Sequence, residues 1–258
     1  MIDKNKYKIR QLFAENLAVD AATLAMQYFD DRDGLKVESK HPRDFVSIAD
    51  RDVEKMIRER ILKEFPNDNI IGEEGGGNKS DAYWSVDPID GTSNFLSGIP
   101  LWGVSIGYIE YDRPVLGAIC IPLLDILLSA NKNEPGFRHN KKFNLQHGTC
   151  QIPTMVMGQS SYWDTKSFRE VEDIFNQAGF ECLNYRCSVI GTAFAALGFT
   201  QGYYEKFSNM WDVAAGYIIT QQAGLNCKIT HDKNGEKLTI SVLSDQINSH
   251  VMQNLADK

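Results

Sequence analysis

The chain has 258 residues, with 27 Lys and Arg against 34 Asp and Glu, a net charge of −7 with histidine neutral, and 43% hydrophobic residues. That balance supplies a sizeable core in one or two domains and argues against broad nucleic-acid binding, which needs cations to neutralise phosphates. Five cysteines without a CxxC pair and five scattered histidines argue against a disulfide framework and a zinc cluster.

The start MIDKNKYKIR lacks the apolar core of a signal peptide, and no apolar run is long enough to span a bilayer. A reduced, cytoplasmic setting is the expectation. Ile9, Leu12, Phe13, Leu17, Leu24 and Tyr28 recur at helical spacing and predict a helix over 8–29. Ser47 and Asp50 fit a capping pattern ahead of Val53, Met56, Ile57, Ile61, Leu62 and Phe65, and Pro66-Asn67-Asp68 ends this second helix. Strands are predicted at 69–71, 83–86, 102–109 and 115–121, the last two joined as a hairpin through Asp112-Arg113-Pro114. A polar stretch over 131–151 follows. Beyond it come a strand at 155–158, a helix at 165–178, small-residue helices at 190–200 and 211–223, and strands at 202–206, 225–229 and 238–242. A final helix is predicted over 244–256. With no repeat and no long linker, the reading is a single α/β unit of two layered halves meeting near residue 140.

Acids stand at the ends of three of these elements. Glu73 and Glu74 lie in GEEGGG, Asp87 and Asp90 in DPIDG, and Asp212 opens WDVAAG. Carboxylates that converge repel one another, so a shared site needs protonation or a cation, and hard oxygen ligands suit Mg²⁺ completed by a phosphate. Pro88 fixes one φ, Gly91 lets backbone approach a ligand, and a helix starting near Thr92 turns free N–H groups toward an anion. Singly, each stretch has a plainer reading. DPIDG is a turn with Asp caps, GEEGGG a solvated loop, Thr92 a turn residue, Asp212 a helix N-cap, and Asp50 the N3 member of a capping box.

Gly72-Glu73-Glu74, Trp84 to Phe95 with DPIDGTSNF, and WDVAAG at 211–216 together resemble the inositol monophosphatase family of Mg²⁺-dependent, lithium-sensitive phosphatases. The resemblance spans about residues 8–250. It implies a layered αβαβα sandwich of the sugar-phosphatase type, commonly a homodimer. It also implies Glu73, Asp87, Asp90, Asp212 and the carbonyl of Ile89 as metal ligands. Thr92, paired with Asp50, would orient or activate the attacking water, which Glu73 would meet through its metal. Gly91, Thr92 and Ser93 would hold the phosphate, and Glu205 and Asp212 would receive substrate hydroxyls. Lys40 matches a loop lysine of the family with shifted spacing.

The implied substrate is a small phosphate monoester, inositol monophosphate or a similar polyol phosphate, with no membrane or nucleic-acid partner. Histidinol phosphate is the alternative, because the stretch from Phe95 to Gly103 is similar to members with that activity. The segment 186–205 is shorter than the family pattern, and both Ser188 and Gly191-Thr192-Ala193 match its small-residue substrate segment. Other classes stay open: a regulatory protein of transcription complexes that keeps the fold, or a Ca²⁺-binding module.

Overall fold

The computed structural model describes residues 4–31, 37–41, 44–134, 138–139, 152–232, 234–235, 237–245, 247, 251 and 254–255. Helix α1 (Lys4–Asp30) is followed by a two-stranded ribbon, β1 (Val37–His41) and β2 (Asp44–Ser47), and by helix α2 (Ile48–Glu64). Next come β3 (Asn69–Gly72), β4 (Ala82–Asp90), the short helix α3 (Thr92–Leu96), β5 (Gly103–Glu110), β6 (Arg113–Ile121), β7 (Ile126–Asn131) and β8 (Arg138–His139). Strands β3 to β8 form one sheet in sequence order, antiparallel apart from the β3–β4 pair. The rest runs β9 (Thr154–Met157), α4 (Thr165–Gln177), β10 (Glu181–Leu183), α5 (Ser188–Ala196), β11 (Gly202–Ser208), α6 (Met210–Gln222), β12 (Asn226–His231) and β13 (Leu238–Leu243). Its strands form a mixed sheet in the order β10-β9-β11-β13-β12.

Burial arranges these elements in five layers. Leu116, Ala118 and Cys120 of β6 point into a cluster with Leu17, Ala18, Ala21 and Ala25 of α1 and Val53, Ile57 and Ile61 of α2. The intervening Ile119 and Ile121 point the other way, onto Val189, Ile190, Ile218 and Ile219 of α5 and α6. Both faces of this sheet are covered, which is why β5 and β6 read as nearly unbroken apolar runs instead of alternating ones. The far side of α5 and α6 meets Val156, Tyr203, Ile240 and Val242 of the second sheet. That sheet's outer face, with Met155, Met157 and Tyr204, is closed by Phe168, Val171 and Phe175 of α4. The order is therefore α, β, α, β, α, the sandwich expected from the sequence.

Close packing of the middle layer explains the small residues of DVAAG. A Cβ on Gly107 would stand 2.8 Å from Ala214 Cβ, one on Gly117 would stand 2.5 Å from Ala215 Cα, and one on Gly216 would meet Thr192. Helix α6 lies on glycine notches of β5 and β6. It carries Asp212 at its N-terminal end, where Asn209 is the N-cap and Asp212 the N3 partner of a capping box; Asp212 is not itself the N-cap.

Several predicted details need correction. Helix α1 forms where expected, but Ile9 and Leu12 are exposed and its buried face is mostly alanine, whose small side chains let the helix sit close to the sheet. The β5–β6 hairpin turns at Tyr111-Asp112, both at positive φ, with Glu110 opposite Arg113, so Arg113 and Pro114 already belong to β6. This is the two-residue geometry that matches strand twist. Strands β7 and β10 were not anticipated. Most of the 131–151 stretch and of the predicted helix at 244–256, and the side chain of Lys40, lie outside the described residues. Among the described residues, no helix is long and apolar enough to cross a membrane.

Candidate active site

Asp87 and Asp90 are three positions apart, and in a regular strand side chains at that spacing leave opposite faces. Strand β4 solves this with a bulge. Asp87 pairs with Ser105 and Asp90 with Gly103, so three steps on β4 oppose two on β5. The extra residue brings both carboxylates to one pocket. Asp87 Oδ1 accepts the Ile89 N–H at 3.0 Å across Pro88, which fixes the turn. Gly91 then takes φ +89 and caps α3. A Cβ there would be strained by that φ and would stand tightly, 3.0 Å from the Leu101 carbonyl and 3.1 Å from Cys187 Cβ, so glycine suits the position.

The pocket has a volume of about 170 Å³ and is lined by Glu73, Asp87, Ile89, Asp90, Gly91, Thr92, Ser93, Glu205 and Asp212 on its acidic side. Gln159, Ser160, Ser161, Tyr162, Arg186, Cys187, Ser188, Phe207 and Asn209 complete the wall. Asp50 is fully buried and stands behind Thr92, outside that lining. Its Oδ2 accepts the backbone N–H of Ser47 at 2.8 Å and the Ser47 hydroxyl at 2.7 Å, while Oδ1 lies 3.4 Å from Thr92 Oγ1. The plain capping role and the contact with Thr92 therefore hold together, one on each oxygen. The Thr92 hydroxyl has a closer acceptor in the Ile89 carbonyl, at 3.1 Å.

Asp90 and Asp212 each gather their donors on one oxygen. Asp90 Oδ2 receives the Ser188 hydroxyl at 2.8 Å, the Cys187 thiol at 3.2 Å and the Val189 N–H. It thereby caps α5, whose own N-cap Cys187 makes no side-chain cap bond. Asp212 Oδ2 receives Ser208 Oγ at 3.0 Å, the Asn209 N–H at 2.8 Å and Asn209 Nδ2 at 3.2 Å. Glu205 Oε2 receives the Tyr203 hydroxyl at 2.8 Å.

Burial pushes the carboxyls of Asp87, Asp90, Glu205 and Asp212 upward. For Asp87 the charges of Glu73, Asp90 and Asp212 add to it. Asp90 reaches about 6, burial and Asp212 outweighing its three donors, and Glu205 reaches about 8 through burial and the Asp212 charge. Asp212 is raised by burial, offset in part by the Asn209 and Ser208 bonds and by Lys237. Among the described residues no three His, Cys, Asp or Glu side chains already close on a point as a finished metal cage. The arrangement is an open pocket whose acids repel one another.

Of the two small-residue alternatives open in the sequence, Ser188 lines the pocket, whereas Gly191 and Thr192 face inward, against Tyr203 and Gly216. The 159–162 wall carries no signal beyond a polar loop after a strand.

A model of the inositol monophosphatase family matches residues 9–253. The fructose-1,6-bisphosphatase/inositol-1-monophosphatase of Aquifex aeolicus is 30% identical over 197 residues, 73% of this chain and 73% of that protein. Nus factor SuhB of Pasteurella multocida is 29% identical over 219 residues, covering 81% of this chain and 82% of that one. Among solved structures, the extragenic suppressor protein suhB from Bartonella henselae has a TM-score of 0.80 at 25% identity, covering 93% of this chain and 95% of that chain.

Proposed function

We propose that this chain, which belongs to the inositol monophosphatase family, is a Mg²⁺-dependent phosphomonoesterase acting on inositol monophosphate or a similar polyol phosphate. One observation carries the reading: Glu73, Asp87, Asp90 and Asp212 line the same pocket as Gly91, Thr92 and Ser93 at the start of α3. The donor set fits a divalent cation. Its oxygens are hard ligands, and Asp87 is raised by burial and then by the charges of Glu73, Asp90 and Asp212, a repulsion that a bound cation relieves.

Glu73, Asp87, Asp90, Asp212 and the Ile89 carbonyl would hold Mg²⁺. Bound there, the cation supplies Lewis acidity toward a phosphoryl oxygen and acidifies water. Thr92 Oγ1 directs its own proton to Ile89 O or Asp50 Oδ1, leaving lone pairs to accept a proton of the attacking water and aim it at phosphorus. The N–H groups at the start of α3, with Ser93, bind the phosphoryl oxygens. Water forms the new P–O bond as the ester P–O bond breaks on the opposite side; one proton of the water stays on the phosphate product and the other reaches the departing alkoxide through solvent in the pocket. Glu205 and the free oxygen of Asp212 receive hydroxyls of the alcohol, and Ser160, Ser161 and Asn209 line the space around it. A volume of about 170 Å³ is below the ~300–1,000 Å³ of pockets for drug-sized ligands, which favours a small substrate. Lithium sensitivity, a cytoplasmic setting and a homodimer belong to the same proposal.

A phosphate-release screen with Mg²⁺ across inositol, histidinol, sugar and nucleotide monophosphates tests the substrate. The reading expects the highest kcat/KM on a polyol phosphate; histidinol phosphate ranking first would transfer the same machinery to the rival substrate. The similarity to a Nus factor motivates a second, regulatory reading. Its test is whether a catalytically silent variant still binds transcription components.

A further inference from the structure

The segment Gly72-Glu73-Glu74-Gly75-Gly76-Gly77 leaves β3 and must present Glu73 to the pocket, although three of its six residues are consecutive glycines. Flexible chain does not hold a ligand. The rigidity comes from α2. Glu54 is a charged side chain on a helix yet only 2% exposed. Its Oε2 accepts the Glu74 N–H at 2.7 Å and its Oε1 the Gly75 N–H at 2.8 Å. Arg58, one turn on, donates Nε to Glu54 Oε1 at 2.7 Å and Nη2 to the Gly76 carbonyl at 2.5 Å. The pair therefore grips three consecutive residues just after Glu73.

The glycines fit the grip. A Cβ on Gly72 would stand 2.4 Å from Glu54 Oε1, and one on Gly75 would stand 2.8 Å from it. Gly76 and Gly77 have φ of +58 and +146, and a Cβ on Gly77 would stand 2.1 Å from the Ile70 carbonyl. Two glycines make room for the Glu54 carboxylate, and two supply the turn. On α2, Asp50 and Glu54 are four residues apart and so share a helix face. Asp50 meets Thr92, and Glu54 meets the Glu73 loop. One rigid helix sets both.

We infer that Glu54, supported by Arg58, is a positioning residue for the reaction: it fixes the 73–76 backbone so that Glu73 is held ready for the cation. The inference rests on the metal-site reading above. Glu54→Gln is the direct test. An amide places a donor where two backbone N–H groups and a guanidinium already donate, so the loop loses part of its hold while side-chain volume is kept.

The experiment titrates Mg²⁺ into wild type, Glu54→Gln and Arg58→Met, by calorimetry and by phosphate release, with circular dichroism and melting run alongside. Arg58→Met guards against a poorly folding Glu54→Gln, since Arg58 lies nearer the surface. Glu54→Gln should raise the half-saturating Mg²⁺ about tenfold or more in both measurements, with kcat at saturating Mg²⁺ within about threefold of wild type. Arg58→Met should move the same quantity by about threefold. A purely structural role would lower the melting temperature and leave the Mg²⁺ midpoint unchanged, and folded variants with that result overturn the inference alone. Wild type that shows no Mg²⁺ heat and no Mg²⁺-dependent release overturns the metal-site reading, and the inference with it.

Discussion

In the proposed mechanism Asp90 holds the cation and Thr92 orients the water, and single substitutions separate the two. In Asp90→Asn the amide keeps the volume and still accepts the Val189 N–H, but the ligand charge is gone. Phosphate release at limiting Mg²⁺ is expected to fall by more than the roughly 100-fold that losing an outer-shell partner of a metal site costs. The same change removes one of several mutually repelling acids, so the metal-free variant is expected to melt above metal-free wild type. A folded Asp90→Asn protein with near-normal release would remove the residue from the site. Thr92→Ala takes away the hydroxyl that meets Ile89 and Asp50 and leaves every acid in place. Its kcat is expected to fall about 100-fold or more, with the half-saturating Mg²⁺ within about threefold of wild type. A variant that shifts only the Mg²⁺ midpoint would mean Thr92 does not orient the water.

Elements are held at the site by close approach of backbone. Helix α6 delivers Asp212 only because Gly107 and Gly117 let Ala214 and Ala215 touch the sheet. Gly117→Val puts branched bulk into that contact, and overpacking of this kind costs about 1–3 kcal/mol. Thermal melting should show a fall of roughly 3–10 °C for a chain of this length, together with weaker phosphate release; an unchanged melting curve would show that α6 has room to shift. Local chemistry made part of this scale legible. The Ser47–Asp50 capping box and the small residues of DVAAG are written within a few positions, whereas DPIDG reads as a turn after a strand ending at Val86 and in the structure continues β4 to Asp90. Other parts depend on partners distant in sequence. The grip of Glu54 and Arg58 has no local signature, because nothing in α2 says that a loop 20 residues on will cover them. The alanine face of α1 likewise gives a weaker signal than the exposed Ile9 and Leu12, which pulled the predicted face around the helix. The β4 bulge is set by register with β5, which no spacing within β4 reveals.

For the whole molecule, a pocket of buried acids makes stability depend on pH and on cation together. Asp90 moves from an ordinary 3.8 to about 6 and Glu205 from 4.5 to about 8 in the folded chain. The folded state therefore binds more protons than the unfolded state between those values, and stability falls as pH rises. This contribution is complete below about pH 4 and is lost as pH passes through about 6 and then about 8. Metal-free protein is expected to melt at a lower temperature at pH 9 than at pH 5. Mg²⁺ at about 100 times its dissociation constant adds about 2.7 kcal/mol, and its effect on melting should be larger at pH 9, where the acids it needs are charged. A metal-free melting temperature that climbs from pH 5 to pH 9 would contradict the burial of these groups.

A pocket that holds a divalent cation and hydrolyses a phosphate monoester makes phosphate release from inositol monophosphate by the purified chain depend on Mg²⁺, measured from a chelated zero point. No release is expected in chelator, followed by a saturable rise with Mg²⁺ that Asp90→Asn abolishes. Release that persists in chelator, or that Asp90→Asn leaves untouched across the titration, would contradict cation-dependent hydrolysis in this pocket.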